Sequence, residues 1–91
     1  MINQSNLSKL KECESSINII DGLLMDIERD IINNTFQYYF NYMFDNFNII
    51  TFKNSKAINK AFYSGNINHL KLLLIGFRWE LIKIIKFYRV N

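Results

Sequence analysis

The chain has 91 residues, with eleven Lys and Arg against eight Asp and Glu for a net charge of +3, which allows one domain and excludes a multidomain assembly. It is 49% hydrophobic, contains no proline and has only three glycines, so a disordered chain and a turn-rich β protein are both disfavoured and helices are expected. Its one cysteine, Cys13, and one histidine, His69, rule out a disulfide framework and most zinc sites.

The N-terminal stretch MINQSNLSKLKECESS is polar and has no apolar run of the secretory type, and the first helical segment spans 6–33. Apolar residues then recur at Leu10, Cys13, Ile17, Ile20, Leu24, Ile27 and Ile31, alternating three and four positions apart for three heptads. That spacing predicts a long helix with one seam, capped at Ser5 or Asn6. The second segment, Thr35 to Phe47, places Phe36, Phe40, Met43 and Phe47 on one helical face, with Tyr39 and Phe44 beside them and Thr35 as the cap. The aromatic run reads as core. Asn48 to Asn54 reads as a connection, with Ile49 to Phe52 as a short extended piece.

Ser55 is the expected cap of a short third helix that turns Ala57, Ile58, Ala61 and Phe62 inward and stops at Gly65. The last segment, 67–90, carries a second seam at Leu70, Leu74, Phe77, Leu81, Ile84 and Tyr88. Its other sides are not polar, because Leu72, Ile75, Trp79, Ile82 and Val90 all fall outside the seam. A helix apolar nearly all round is buried or awaits a partner. Arg78, Glu80, Lys83 and Lys86 interrupt this stretch, so it is not expected to span a membrane.

Ala61 to Leu74, AFYSGNINHLKLLL, resembles half an ankyrin repeat. Ala61, Gly65, Ile67, Leu70, Lys71 and the run Leu72 to Leu74 fall in the motif's places. The T-P-L-H opening is missing and no second repeat follows, whereas such solenoids need about three. The stretch is therefore read as a helix–glycine–helix step, and no family is assigned.

Fifteen Ile and thirteen Asn are the marks of an AT-rich genome, of the kind found in low-GC bacteria, their mobile elements and large DNA viruses. The three Asn-x-Ser/Thr triplets at Asn3, Asn6 and Asn33 read as products of the same bias. A cytoplasmic location, in the producing or host cell, is the expectation.

The parts for catalysis are few. There is no phosphate-binding glycine loop, no H-E-x-x-H and no C-x-x-C. Cys13 sits in the first seam, as a structural thiol would, and His69 falls in the first turn of the last helix. Asp26 and Asp30 belong to an acidic face with Glu12, Glu14, Asp21 and Glu28. No enzyme, cofactor, metal site or small-molecule substrate is expected.

Charge is distributed unevenly: −3 over residues 1–34, +2 over 35–69 and +4 over 70–91. Lys71, Arg78, Lys86 and Arg89 lie within about 80° of one another around a helix. Three uses of that stripe are open. It pairs with the acidic first helix, it binds nucleic acid with Trp79 or Tyr88 stacking on a base, or it meets an acidic protein or anionic lipid surface.

The expected fold is thus all-α, a small antiparallel bundle of about four helices forming a single domain over residues 1–91, with the first and last helices long and paired. The expected function is that of a small non-enzymatic interaction protein, an inhibitor, adaptor or small subunit that binds a protein partner or itself. Lys71, Ile75, Arg78, Trp79, Ile82, Lys83, Lys86 and Arg89 are the candidate partner-binding residues. A nucleic-acid-binding subunit using the same basic face is the alternative, and a membrane surface a third.

Overall fold

In the computed structural model, residues 4–46 and 52–90 are described, with side chains over 7–46 and 54–89. They form four helices: α1 (Gln4–Glu28), α2 (Asn34–Asn46), α3 (Phe52–Tyr63) and α4 (Ile67–Val90). No strand occurs among the described residues. The molecule measures 43 × 21 × 21 Å, its length set by α1 and α4 lying against each other. Their ion pairs run Glu28–Lys71, Asp21–Arg78 and Glu14–Arg89, so the two are antiparallel. α2 packs on α1 and α3 on α4.

Most of the seam expected on α4 is observed: Leu70, Leu74 and Leu81 are fully buried and Phe77 nearly so, with Ile84 and Tyr88 half-buried at its end. The α1 seam is rotated from its expected phase. Leu10, Cys13, Ser16, Ile20 and Leu23 are buried, whereas Ile17, Leu24 and Ile27 are half-buried. α1 packs against both α4 and α2, and the centre of its buried stripe falls between the expected positions. Ser16 stands at that centre although it is polar, and its buried Oγ has no hydrogen-bond partner.

α2 and α3 close the bundle through stacked rings. Phe36, Phe40 and Met43 are fully buried, as their spacing predicts. Phe62 of α3 stacks on Phe40 at 4.2 Å and on Phe36 at 5.7 Å between ring centroids. Phe44 adds a tilted contact to Phe40 at 4.9 Å. The aromatic segment is core on this face, and Tyr38, Tyr39 and Tyr42 are exposed on the other. Phe47 and the connection 48–51 lie outside the described residues.

Helix ends depart from expectation for local reasons. α1 stops at Glu28 instead of running on to residue 33. Asp30 takes a left-handed backbone, φ 56°; its N–H donates to the carbonyl of Ile27, and the N–H of Ile31 donates to that of Asp26 at 2.8 Å. This pattern of paired bonds is a Schellman closure. Gly65, φ 74°, closes α3 in the same way, with bonds from Gly65 to Phe62 and from Asn66 to Ala61. The cap of α2 is Asn33, not Thr35: its Oδ1 accepts from the N–H groups of Thr35 and Phe36 at 3.0 and 3.1 Å. Asn66 caps α4 by accepting from the N–H of His69. Ser55 is no cap, because α3 begins three residues earlier and Ser55 Oγ accepts from Asn59 inside the helix.

Two outcomes are expected from this fold. A left-handed backbone costs a residue with a Cβ about 1–2 kcal/mol and glycine little. Asp30→Gly should therefore raise unfolding free energy by about 0.5–1 kcal/mol, and Gly65→Ala lower it by about 1 kcal/mol, both read from urea midpoints. The second concerns Cys13. Burial, reinforced by the carboxylates of Glu12 and Glu14, holds its thiol above the ordinary thiol value. The folded state thus keeps this proton to higher pH than the unfolded chain. The stability it contributes is full below the unfolded value of about 8.5 and declines as pH rises beyond it. A thiol reagent should accordingly label Cys13 no faster than the chain unfolds, and the urea midpoint should fall in that alkaline range less for Cys13→Ala.

Candidate functional site

The described side chains of α4 divide into two unequal sides. One carries the buried seam and, beside it, the cations that meet α1. Arg78 Nε donates to Asp21 Oδ1 at 2.6 Å, and Arg89 Nη2 donates to Glu14 Oε1 at 2.6 Å. Lys71 Nζ stands 3.8 Å from Glu28 Oε1. Lys71 precedes Arg78 by seven residues and Glu28 follows Asp21 by seven, so two bridges share one antiparallel register. Arg78 and Asp21 are about one-third and one-half exposed, so each such bridge contributes at most about 0.2–1 kcal/mol and mainly sets alignment.

The other side faces outward. Leu72, Gly76, Trp79, Lys83 and Lys86 are all exposed, with Leu72 at 67% and Trp79 at 58% of their full areas. They stand four, three, four and three positions apart, which repeats the spacing of the buried seam on the opposite side of the helix. Phe87 is exposed at the edge of this face and makes an edge-on contact with Tyr88 at 5.4 Å. Ile75 and Ile82 are half-buried at its flanks.

The eight candidate residues therefore fall into three groups. Lys71, Arg78 and Arg89 are engaged by carboxylates of α1. Trp79, Lys83 and Lys86 point to solvent, and Ile75 and Ile82 lie between. Among the described residues no ion pair engages Lys83 or Lys86, nor Lys56 and Lys60 on the exposed face of α3. α3 and α4 together hold eight cations and one carboxylate, Glu80, which accepts from Asn54 Nδ2 at 3.2 Å.

Two grooves flank the long helices, each beside a mid-helix glycine. Between α3 and α4 a groove of about 180 Å³ is lined by Asn54, Ala57, Leu72, Leu73, Gly76 and Glu80, among others. Between α1 and α2 a groove of about 350 Å³ is lined by Ile19, Gly22, Leu23, Met25, Asp26 and Tyr39, among others. Sequence reasoning missed both glycines as groove residues and missed the lysines of α3 as part of a surface. The signal for the second was present as the i, i+4 pair Lys56 and Lys60.

Cys13 is fully buried and His69 is exposed on the first turn of α4. Asp26 stays on α1, while Asp30 belongs to the turn after it. No cluster of three His, Cys, Asp or Glu side chains suited to a metal forms among the described residues, and no described helix is long and apolar enough to cross a membrane. The chain matches no protein-family model, no curated protein and no solved structure.

If the bridges align α1 on α4, reversing one charge should be repaired by reversing its partner. Arg78→Asp alone and Asp21→Arg alone should each lower stability by about 0.5 kcal/mol. The double exchange should recover most of the loss, a coupling of about 0.5–1 kcal/mol in a double-mutant cycle. Strictly additive losses would show that the bridge has no part in alignment.

Proposed function

We propose that the chain is a small non-enzymatic interaction protein that binds a protein partner stoichiometrically, through the outer face of α4. It would act as an inhibitor, adaptor or small subunit in the cytoplasm of the cell that produces or harbours it. The observation that carries this reading is the exposure of Trp79 and Leu72 on a helix whose opposite side is fully used in the core. Isolated apolar residues are ordinary on a surface, but large ones grouped on one helix face mark interfaces. Tryptophan is also among the residues that most often dominate binding energy.

The division of the cations supports a protein partner over the alternative, a nucleic-acid-binding subunit. That alternative draws on Lys71, Arg78, Lys83, Lys86 and Arg89, and three of the five already meet carboxylates of α1. Neutralising phosphates would leave two of these lysines on α4, beside Glu80.

The reading is tested by placing a photo-crosslinking residue at position 79 and, as a control, at Ser15 on the exposed side of α1. Irradiation in the native host should give one discrete protein adduct from position 79, with the mass of one chain plus one partner, and none from position 15. The same set of adducts from both positions, or none from position 79, would overturn it. An adduct with nucleic acid alone would transfer the assignment to the alternative.

A further inference from the structure

Gly76 lies in the middle of α4, where glycine costs about 1 kcal/mol relative to alanine. Nothing in the chain's own packing requires it: a Cβ built there meets no atom within 4 Å, and its backbone is ordinary helix. What the missing side chain does is deepen the α3–α4 groove. Leu72 stands one turn before it and Trp79 one turn after, both exposed. The result is a notch open to solvent, lined by Leu72, Leu73 and Glu80 of α4 and by Ala57 on the α3 side, with Trp79 exposed beside it.

The one charged residue lining the notch, Glu80, accepts from Asn54 Nδ2 at 3.2 Å, and the charges on the surface beyond it are cationic. Lys83 and Lys86 continue the same face of α4; on α3, Lys60 stands one turn beyond Ala57 and Lys56 immediately before it. All four are exposed, and among the described residues no ion pair engages them. A second copy docked symmetrically on this face would bring like charges together. A planar anionic lipid surface would not enter a notch. Phosphates have no use for Leu72. A helix with an apolar seam and acidic flanks satisfies both the notch and the lysines.

α4 already accepts such a helix on its other side. There α1 presents apolar residues flanked by Asp21 and Glu28, seven residues apart, to Arg78 and Lys71. The outward row Leu72, Gly76, Trp79, Lys83 and Lys86 has the same alternation of four and three. We infer that the α3–α4 groove receives an acidic amphipathic helix of a partner protein, with a large apolar side chain seated over Gly76 and carboxylates meeting Lys83 and Lys86. This rests on the protein-binding reading and names the chemistry of the partner.

Trp79 is the chain's one tryptophan, so its emission reports occupancy of this face directly. The probe is a synthetic helical peptide of about 21 residues, three heptads, with Leu in the seam, Glu on the flanks and no aromatic residue. Expected are a blue shift of Trp79 emission saturating at one peptide per chain, and binding that weakens as salt is raised. The same peptide with Lys for every Glu should give no shift. Gly76→Leu, which fills the notch and favours helix, should weaken binding about tenfold or more while the melting temperature holds or rises. The pair Lys83→Glu and Lys86→Glu should weaken binding comparably.

A failure of the acidic peptide to bind, equal binding by the basic peptide, or unchanged affinity in a folded Gly76→Leu chain would each overturn the inference. So would an emission shift elicited by phosphatidylserine vesicles or a single-stranded oligonucleotide but not by the acidic peptide. If the peptide fails while position 79 still crosslinks to a protein in the host, the acidic-helix inference falls and the protein-binding reading stands.

Discussion

Two helices of nearly equal length, α1 with 25 residues and α4 with 24, lie antiparallel along the long axis, and everything else is fastened to that pair. The interface between them is apolar at its centre and charged along one border. Burial supplies the driving force, at about 25 cal/mol for each Å² of apolar surface removed from water. The border supplies alignment. An apolar seam alone tolerates displacement by a heptad, because Leu and Ile repeat at that interval. Bridges from Glu28 and Asp21 to Lys71 and Arg78 make one register better than its neighbours. α2 and α3 then need only to cover the flanks, which they do by stacking Phe62 between Phe36 and Phe40.

The same pairing explains how charge is arranged over the whole molecule. A net +3 conceals an acidic first helix and a basic last one, and their contact consumes Lys71, Arg78 and Arg89. What is left on the far side of α4, and on α3 beside it, is a surface with lysines and almost no carboxylates. One helix thus serves two purposes with one sequence pattern. Its inward seam is continuous Leu and Phe, and its outward row mixes Leu72 and Trp79 with Gly76, Lys83 and Lys86. The outward row can be wetted, because a glycine separates its two large apolar side chains and lysines follow them.

Apolar spacing made the two long helices legible to different degrees. On α4 it located the buried Leu70, Leu74, Phe77 and Leu81, while Ile84 and Tyr88 of the same seam are half-buried. On α1 it gave the helix with the stripe turned by part of a residue step, so that Ser16 is buried where Ile17 was expected to be. Periodicity of apolar residues cannot reveal a buried serine. Ends were legible where glycine marks them, as at Gly65, and not where asparagine or aspartate does the same work. Asn33 and Asp30 sit among many similar residues, and only backbone geometry separates a cap or a left-handed turn from a solvated side chain. The cations of the candidate surface were all visible, but their division into engaged and unengaged is tertiary information.

The distance along the chain between the two paired helices has a consequence for the order of events in synthesis. The 38 residues between Glu28 and Ile67 must be made before α4 begins, and α4 itself must then be completed. At about 5–20 residues per second, α1 is finished several seconds before its partner exists. During that interval its apolar stripe has nothing from its own chain to cover it except α2. The acidic residues that later find Arg78 and Lys71 meanwhile keep the stripe's borders charged and hydrated. They therefore act first as a solubilising fringe on a nascent helix and only afterwards as alignment contacts in the finished bundle.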